Sequence, residues 1–348
     1  MKAIAHNKKN GLLPWEYLLL VAAVVFVFFC CVSAGSVAIG LKNVWQIIFN
    51  GIFKTTTEAG PETAIVINVR IPRVLTAALM GAALSLCGAC MQGLLKNPLA
   101  DGSTLGVSSG ASLGAVAAIA FGLSIPGLSL AGTMVMAITG AMASLIVILA
   151  LAYRLDRTLA TNTIILVGII FSMFASSIIT LITVMASDKV KSITFWTMGS
   201  LSSSSYTQVC ILAAVLAVCS VFLLSNAEEL NATSIGEDNA RSVGVNVKRV
   251  RLTVLIAVSV LIGVCVSIGG TIAFVGLVIP HIVRMITGPN HKKLLPVSMF
   301  SGAVFLMLCD LAARTVLAPS ELPVGAITSF IGAIVFVIIF ARQRHIRA

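Results

Sequence analysis

Charge is what this sequence has least of. Asp, Glu, Lys and Arg make up 10% of its 348 residues against 58% hydrophobic residues, and the mean hydropathy is +1.07. A soluble domain cannot be covered with so little polar surface, so the composition leaves a polytopic α-helical membrane protein. No lysine follows a glycine anywhere in the chain. The G-x-x-x-x-G-K-[ST] loop is therefore absent, and with it a nucleotide-binding domain of that kind. Deep carboxylates are missing from the apolar runs as well. Asp310 and Arg314 stand one turn apart near the end of a run, His281 follows Pro280 in a broken one, and Asp101 and Asp156 fall in loops. Proton- and sodium-coupled carriers hold ionisable groups deep in the bundle, so an ion-coupled secondary transporter is disfavoured and an external energy source is favoured.

Metal and redox chemistry are equally short of material. Cys30, Cys31, Cys87, Cys90, Cys210, Cys219, Cys265 and Cys309 all lie within or beside apolar runs, where small hydrophobes would serve. Cys87 and Cys90 form one C-x-x-C without a second pair or a histidine cluster, which argues against a metal site. No span carries a Met, Cys or His ladder of the sort a bare-metal pore needs. Pro280-His281 reads as a kink with a locally hydrogen-bonded imidazole.

The net charge of +11 would suggest nucleic acid in a soluble protein. Here the basic residues occupy the short gaps between apolar runs, where they act as topology determinants, and no nucleic-acid function is read from them. Lys2, Lys8 and Lys9 precede an uncharged run from Tyr17 to Ile39 that includes Ser33-Ala34-Gly35-Ser36. That run exceeds the roughly 7–15 residues of a signal h-region, so it reads as an uncleaved first span.

A span needs about 20 apolar residues, fewer where a helix is short or broken. Runs near 17–39, 72–93, 104–122, 127–152, 163–186, 207–225, 294–317 and 323–341 qualify. The uncharged stretch 252–283 is too long for one span, and Gly269-Gly270 and Pro280 interrupt it. Basic residues flank it on both sides, so it is expected to cross twice, as helices near 252–268 and 271–286. The fold class is thus all-α, with about ten transmembrane helices, some short or broken, and a cytoplasmic coupling helix. Both termini fall inside. This arrangement puts 16 of the 23 basic residues in the cytoplasm and leaves Lys42, Lys54, Arg70, Arg73, Lys189, Lys191 and Arg314 outside.

One long polar island, residues 228–251, interrupts the apolar sequence. Ser234 with Glu237 reads as a capping box, predicting a short helix from Ile235 to Val243 that Gly244 ends. Ile235, Ala240 and Val243 share a face, and Glu237, Asp238 and Arg241 point elsewhere. Such a helix can lie in a groove of a soluble partner, an ordinary solvated loop being the alternative.

Several stretches then carry a family pattern. Arg70-Ile71-Pro72-Arg73 leads into a Gly/Ala-rich span ending Met91-Gln92-Gly93, followed by Asn97-Pro98-Leu99-Ala100-Asp101 and Leu105-Gly106-Val107-Ser108-Ser109-Gly110-Ala111. The run from Phe274 to Arg284 (FVGLVIPHIVR) and Glu321-Leu322-Pro323-Val324-Gly325 come later. In this order, over nearly the whole chain, the pattern resembles the membrane permeases of ABC importers for iron–siderophore complexes, haem and cobalamin. The resemblance implies one permease domain, 1–348, in a bacterial or archaeal cytoplasmic (inner) membrane, with 228–251 as its ATPase-coupling loop. It implies no catalytic residues and no cofactor or metal on this chain, with ATP and Mg held by a partner ATPase.

The implied partners are a second permease subunit, two ATPase subunits, an extracytoplasmic substrate-binding protein and the bilayer. An iron–siderophore complex is the implied cargo, with haem or cobalamin as alternatives and an ion-coupled secondary transporter as the outlying one. Carried over residue by residue, Arg70, Arg73 and Arg314 would dock the binding protein, interfacial snorkelling being the plainer reading. Asn97, Pro98 and Leu99 with Thr161 and Asn162 would form the cytoplasmic gate, a plain turn and a helix N-cap being theirs. Asn162 departs from the Ser or Thr that family gates often carry. Ile235, Gly236, Glu237, Asp238, Ala240, Arg241 and Val243 would couple to the ATPase. The glycines of the second and third spans, among them Gly81, Gly88, Gly106, Gly110 and Gly114, are explained by close helix packing.

Overall fold

The computed structural model describes residues 11–35, 37, 39–53, 60–102, 105–123, 131–157 and 160–347. Lys2, Lys8, Lys9, Ser36 and Lys54 lie outside the described residues. The described chain is helical: α1 (Pro14–Ser33), α2 (Leu41–Phe53), α3 (Pro61–Ala64), a π-helical stretch (Ile65–Arg70) running straight into α4 (Ile71–Leu94), and α5 (Val107–Ala120). Next come α6 (Ala131–Leu155), α7 (Thr161–Met185), α8 (Val190–Thr197), α9 (Tyr206–Ser225), α10 (Ala227–Ile235) and α11 (Glu237–Ser242). The chain closes with α12 (Val247–Gly269), α13 (Val275–Thr287), α14 (His291–Thr315) and α15 (Val324–Arg347).

Among the described residues, seven helices are long and apolar enough to cross a membrane. The shorter apolar helices Val107–Ala120, Val275–Thr287 and Val324–Ile339 take the three remaining expected places. Side-chain pairs fix the two ends of the bundle. At one end Gln92 reaches Leu277 and Arg284, and Asn231 reaches Asn290 and His291. At the other, Arg70 reaches Val32 and Arg73 reaches Asp310. Arg251, near the start of α12, and Arg284, near the end of α13, both lie at the first end, so the 252–283 stretch crosses and returns as expected.

The return differs in detail. α13 begins at Val275, four residues later than the sequence suggests, because Gly270 turns the chain with φ +68° directly against the Trp196 carbonyl, where a Cβ would stand 2.2 Å away. The Ser200 amide donates to the Gly269 carbonyl at 2.9 Å and holds that turn. α1 likewise runs 14–33 rather than 17–39.

Close approach of α4 to its neighbours builds the core. A Cβ on Gly81 would lie 2.2 Å from the Gly302 carbonyl oxygen of α14, and one on Gly88 1.8 Å from that of Gly276 in α13. Gly110 and Gly114 do the same for α5 against α6, meeting Ser144 and Met136. Small residues at these crossings let backbones touch where the bilayer supplies no hydrophobic drive between helices.

Candidate translocation and coupling sites

The polar island folds as two helices, not one. Ser234 is in the last turn of α10, where its hydroxyl donates to the Asn231 carbonyl at 2.7 Å, so it caps nothing. Extended backbone at Gly236 separates α10 from α11. Glu237 opens α11 and, in place of a capping box, pairs with Arg251 of α12. α11 ends as expected: Gly244 takes φ +86°, and the Gly244 and Val245 amides donate to the carbonyls of Arg241 and Ala240, the two bonds of a Schellman turn.

The apolar face also differs from expectation. Ile235 and Val243 are 77% and 73% exposed, whereas Ala240 is fully buried against the permease itself. Asp238 and Arg241 remain on the surface, paired at 3.8 Å. Two large apolar side chains thus stand out from a polar loop at the end where α4, α12, α13 and α14 meet. Lys292 holds the exposed Glu228 carboxyl below the usual carboxylate range by hydrogen bond and charge, which ties α10 to α14.

The three arginines expected to face outward are buried. Arg73 meets Asp310 and Glu321 at 2.8 Å each, and Arg314 meets Asp310 at 3.0 Å. Arg70 donates to the carbonyls of Val32 and Ser33, and Arg314 to those of Cys31 and Ala34. These are carbonyls at the C-terminal end of α1, which the helix leaves without internal partners. Guanidinium groups satisfy them and complement the negative end of the helix dipole. The expectation that these arginines face outward is therefore corrected: their charges are used inside the subunit.

The residues expected to form the gate follow the Gln92 end of α4 and open α7. The Asn97 side chain accepts from the Leu99 amide at 2.9 Å and its carbonyl from the Ala100 amide at 3.0 Å, a turn that leaves Pro98 and Leu99 exposed. Thr161 and Asn162 are the first two residues of α7, and Ala160 is its N-cap, so neither side chain caps the helix. Lys248 over the Tyr153 ring, 5.5 Å from its centroid, places the loop before α7 at the same end as α10 and α11. Among the described residues no hydrogen bond joins Asn97–Leu99 to Thr161–Asn162 within the chain.

Deeper in, a cavity of about 300 Å³ opens between α4, α5, α7 and α12. Met80, Ile262 and Val266 give it apolar walls; Ser108, Ser109, Ser112, Ser176 and Thr271 give it hydroxyls; Asp101 is the charged side chain among the described residues that line it. Sequence reasoning quoted the Ser108-Ser109 motif without giving it a place. Gln92 was likewise quoted in a motif without a role: its amide donates to Leu277 at 3.0 Å and approaches the Gly276 carbonyl at 3.5 Å, the carbonyl that Pro280 cannot serve.

Comparison with known proteins agrees with this architecture. The chain is 41% identical over 316 residues to the uncharacterized ABC transporter permease protein YvrB of Bacillus subtilis, covering 90% of each. It is 38% identical to the cobalamin import system permease protein BtuC of Halobacterium salinarum, over 83% of this chain and 76% of that one. Against the hemin transport system permease protein HmuU of Yersinia pestis it is 34% identical over 91% and 92%. Other relatives are named for import of iron(3+)-hydroxamate and of molybdate. A solved structure, described as an inward-facing conformation of an ABC transporter of metal-chelate type, superimposes with a TM-score of 0.82 at 30% identity, over 95% of this chain and all of that one. Residues 23–342 match the model of the FecCD transport family. The chain is therefore a multi-span permease of an ABC importer, a member of the FecCD transport family.

Proposed function

We propose that this permease moves an iron–siderophore complex inward across a bacterial or archaeal cytoplasmic membrane, with both termini on the cytoplasmic side. In this reading it pairs with a second, identical or homologous permease and stands on two ATPase subunits that hold ATP and Mg. An extracytoplasmic substrate-binding protein delivers the cargo. Membership of the ABC importer family sets aside the ion-coupled secondary transporter. The observation that carries the proposal is the exposed Ile235–Val243 surface on a loop otherwise polar, at the end where Lys248, Arg249, Lys292 and Lys293 gather. Those cations mark the cytoplasmic side.

The cavity wall supports this choice of cargo. Hydroxyls and apolar side chains suit an organic chelate, whose metal needs no ligand from the protein, and Asp101 is the one carboxylate among the described lining residues for a bare ion. Names of relatives, which include haem, cobalamin, hydroxamate and molybdate systems, keep haem or cobalamin as the second reading. The corner Asn97–Leu99 and the start of α7 serve as the cytoplasmic gate, closing against their copies in the second permease. Arg70, Arg73 and Arg314 support binding-protein docking from beneath, by fixing the end of α1 and the loop that carries Glu321.

The test is ATP hydrolysis by the reconstituted complex with its cognate binding protein loaded in turn with a ferric hydroxamate, haem, cobalamin and molybdate. Stimulation by the ferric chelate above the others is expected. Stimulation by molybdate or cobalamin alone overturns the cargo assignment.

A further inference from the structure

The cytoplasmic loop is fastened to two different helices. α10 is tied to the start of α14, through Asn231 to Asn290 at 2.9 Å and to the His291 amide at 2.8 Å. α11 is tied to the root of α12, through Glu237 to the buried guanidinium of Arg251 and through the burial of Ala240. α12 then runs on to supply Ile262, Cys265 and Val266 to the cavity wall. Between α11 and α12 the chain makes only the short 243–246 turn. Val243 is exposed there, and nothing lies within 4 Å of the Cβ position of Gly244. Val245 is half-buried against the core, but Val243 and Gly244 stand clear of it, and a load placed on α11 would be absorbed by backbone rotation at Gly244.

We propose that the Glu237–Arg251 ion pair is the brace that carries displacement of α11 into α12, so that force from the ATPase reaches the cavity wall. The proposal rests on the ATPase being seated on the α10–α11 loop. Arg251 is a positioning residue, because it is buried within the subunit and lines no part of the cavity. Its removal leaves α11 folded, since the end of that helix is held by the Gly244 and Val245 amides and not by Arg251. What is lost is the second point of attachment between α11 and α12.

The experiment uses the full permease–ATPase complex and the native thiol of Cys265, on α12 at the cavity. Alkylation of Cys265 by N-ethylmaleimide is quantified by mass spectrometry in nucleotide-free and vanadate-trapped complex, beside ATPase copurification and hydrolysis. In the parent the two states should differ about tenfold in alkylation rate, within the usual span of allosteric coupling. In Arg251→Met the difference should fall below about twofold while the ATPase still copurifies and hydrolyses ATP, and Arg251→Lys should restore most of it.

An unchanged nucleotide response in Arg251→Met overturns the proposal. So does a parent complex that binds ATPase and shows no response at Cys265, and so does loss of ATPase binding in both variants, which would make the pair a support of the docking surface. A parent chain that binds no ATPase at all would instead overturn the functional reading beneath it.

Discussion

Asp310 lies between two guanidinium groups, those of Arg73 and Arg314, with no exposure to solvent. Taking this anion out strands the buried Arg314 cation and leaves Arg73 with Glu321 alone, and breaking a buried pair in this way costs about 3–5 kcal/mol. Asp310→Ala should therefore unfold at a much lower temperature in detergent than the parent. Glu321 binds the same Arg73 at 2.8 Å from a partly exposed position, so Glu321→Gln should cost no more than about 1 kcal/mol. Comparable melting of both variants would remove the cluster from the account of stability. Charge reversal at Arg73 is expected to impair folding before it affects any docking partner. The Asp310–Arg314 spacing of one turn is legible in the sequence; the partnership with Arg73, 237 residues away, is not. Hydropathy marks an arginine at the end of a span without telling whether it turns to water or to a neighbouring helix.

Helix crossings depend on glycine more than on any large side chain. A methyl group at Gly88 would sit 1.8 Å from the Gly276 carbonyl, so Gly88→Ala must push α13 away from α4 and should cost about 1–3 kcal/mol. It should also weaken the Gln92–Leu277 bond and lower the yield of folded permease in size-exclusion chromatography. A parent-like yield and melting temperature would show that the two helices can part without loss. These glycines are readable as packing residues from composition alone, because small residues in apolar runs have few other uses. The break between α10 and α11 is not readable. Ser234 and Glu237 have the spacing of a capping box, but Glu237 is drawn away by Arg251 from a different helix, and long-range charge overrides the local pattern. The late start of α13 is also set from a distance, by close backbone approach and not by charge, since Gly270 turns where the Trp196 carbonyl comes within reach.

Two chemically distinct ends follow from these contacts. Single cysteines at Asp238 and Lys293, in a background with the native cysteines replaced, should react with a membrane-impermeant reagent from one side, and a cysteine at Asp188 from the other. Labelling of positions 238 and 293 from opposite sides would mean that 252–283 crosses only once. The ten-helix plan was legible because apolar run length and the placement of basic residues are set by the bilayer itself. The cavity was not, because its hydroxyls come from helices far apart in sequence. In the proposed reading the ATPase seats on the α10–α11 loop, where Ile235 and Val243 face outward. Burying a carboxylate there without a partner would cost about 3 kcal/mol, roughly a hundredfold in affinity. The measurement that decides this is the affinity of the cognate ATPase for purified permease and for Val243→Asp. The parent should bind, and Val243→Asp should bind about a hundredfold more weakly while eluting as a folded permease. Equal affinity for the two would contradict the placement of the ATPase on this loop.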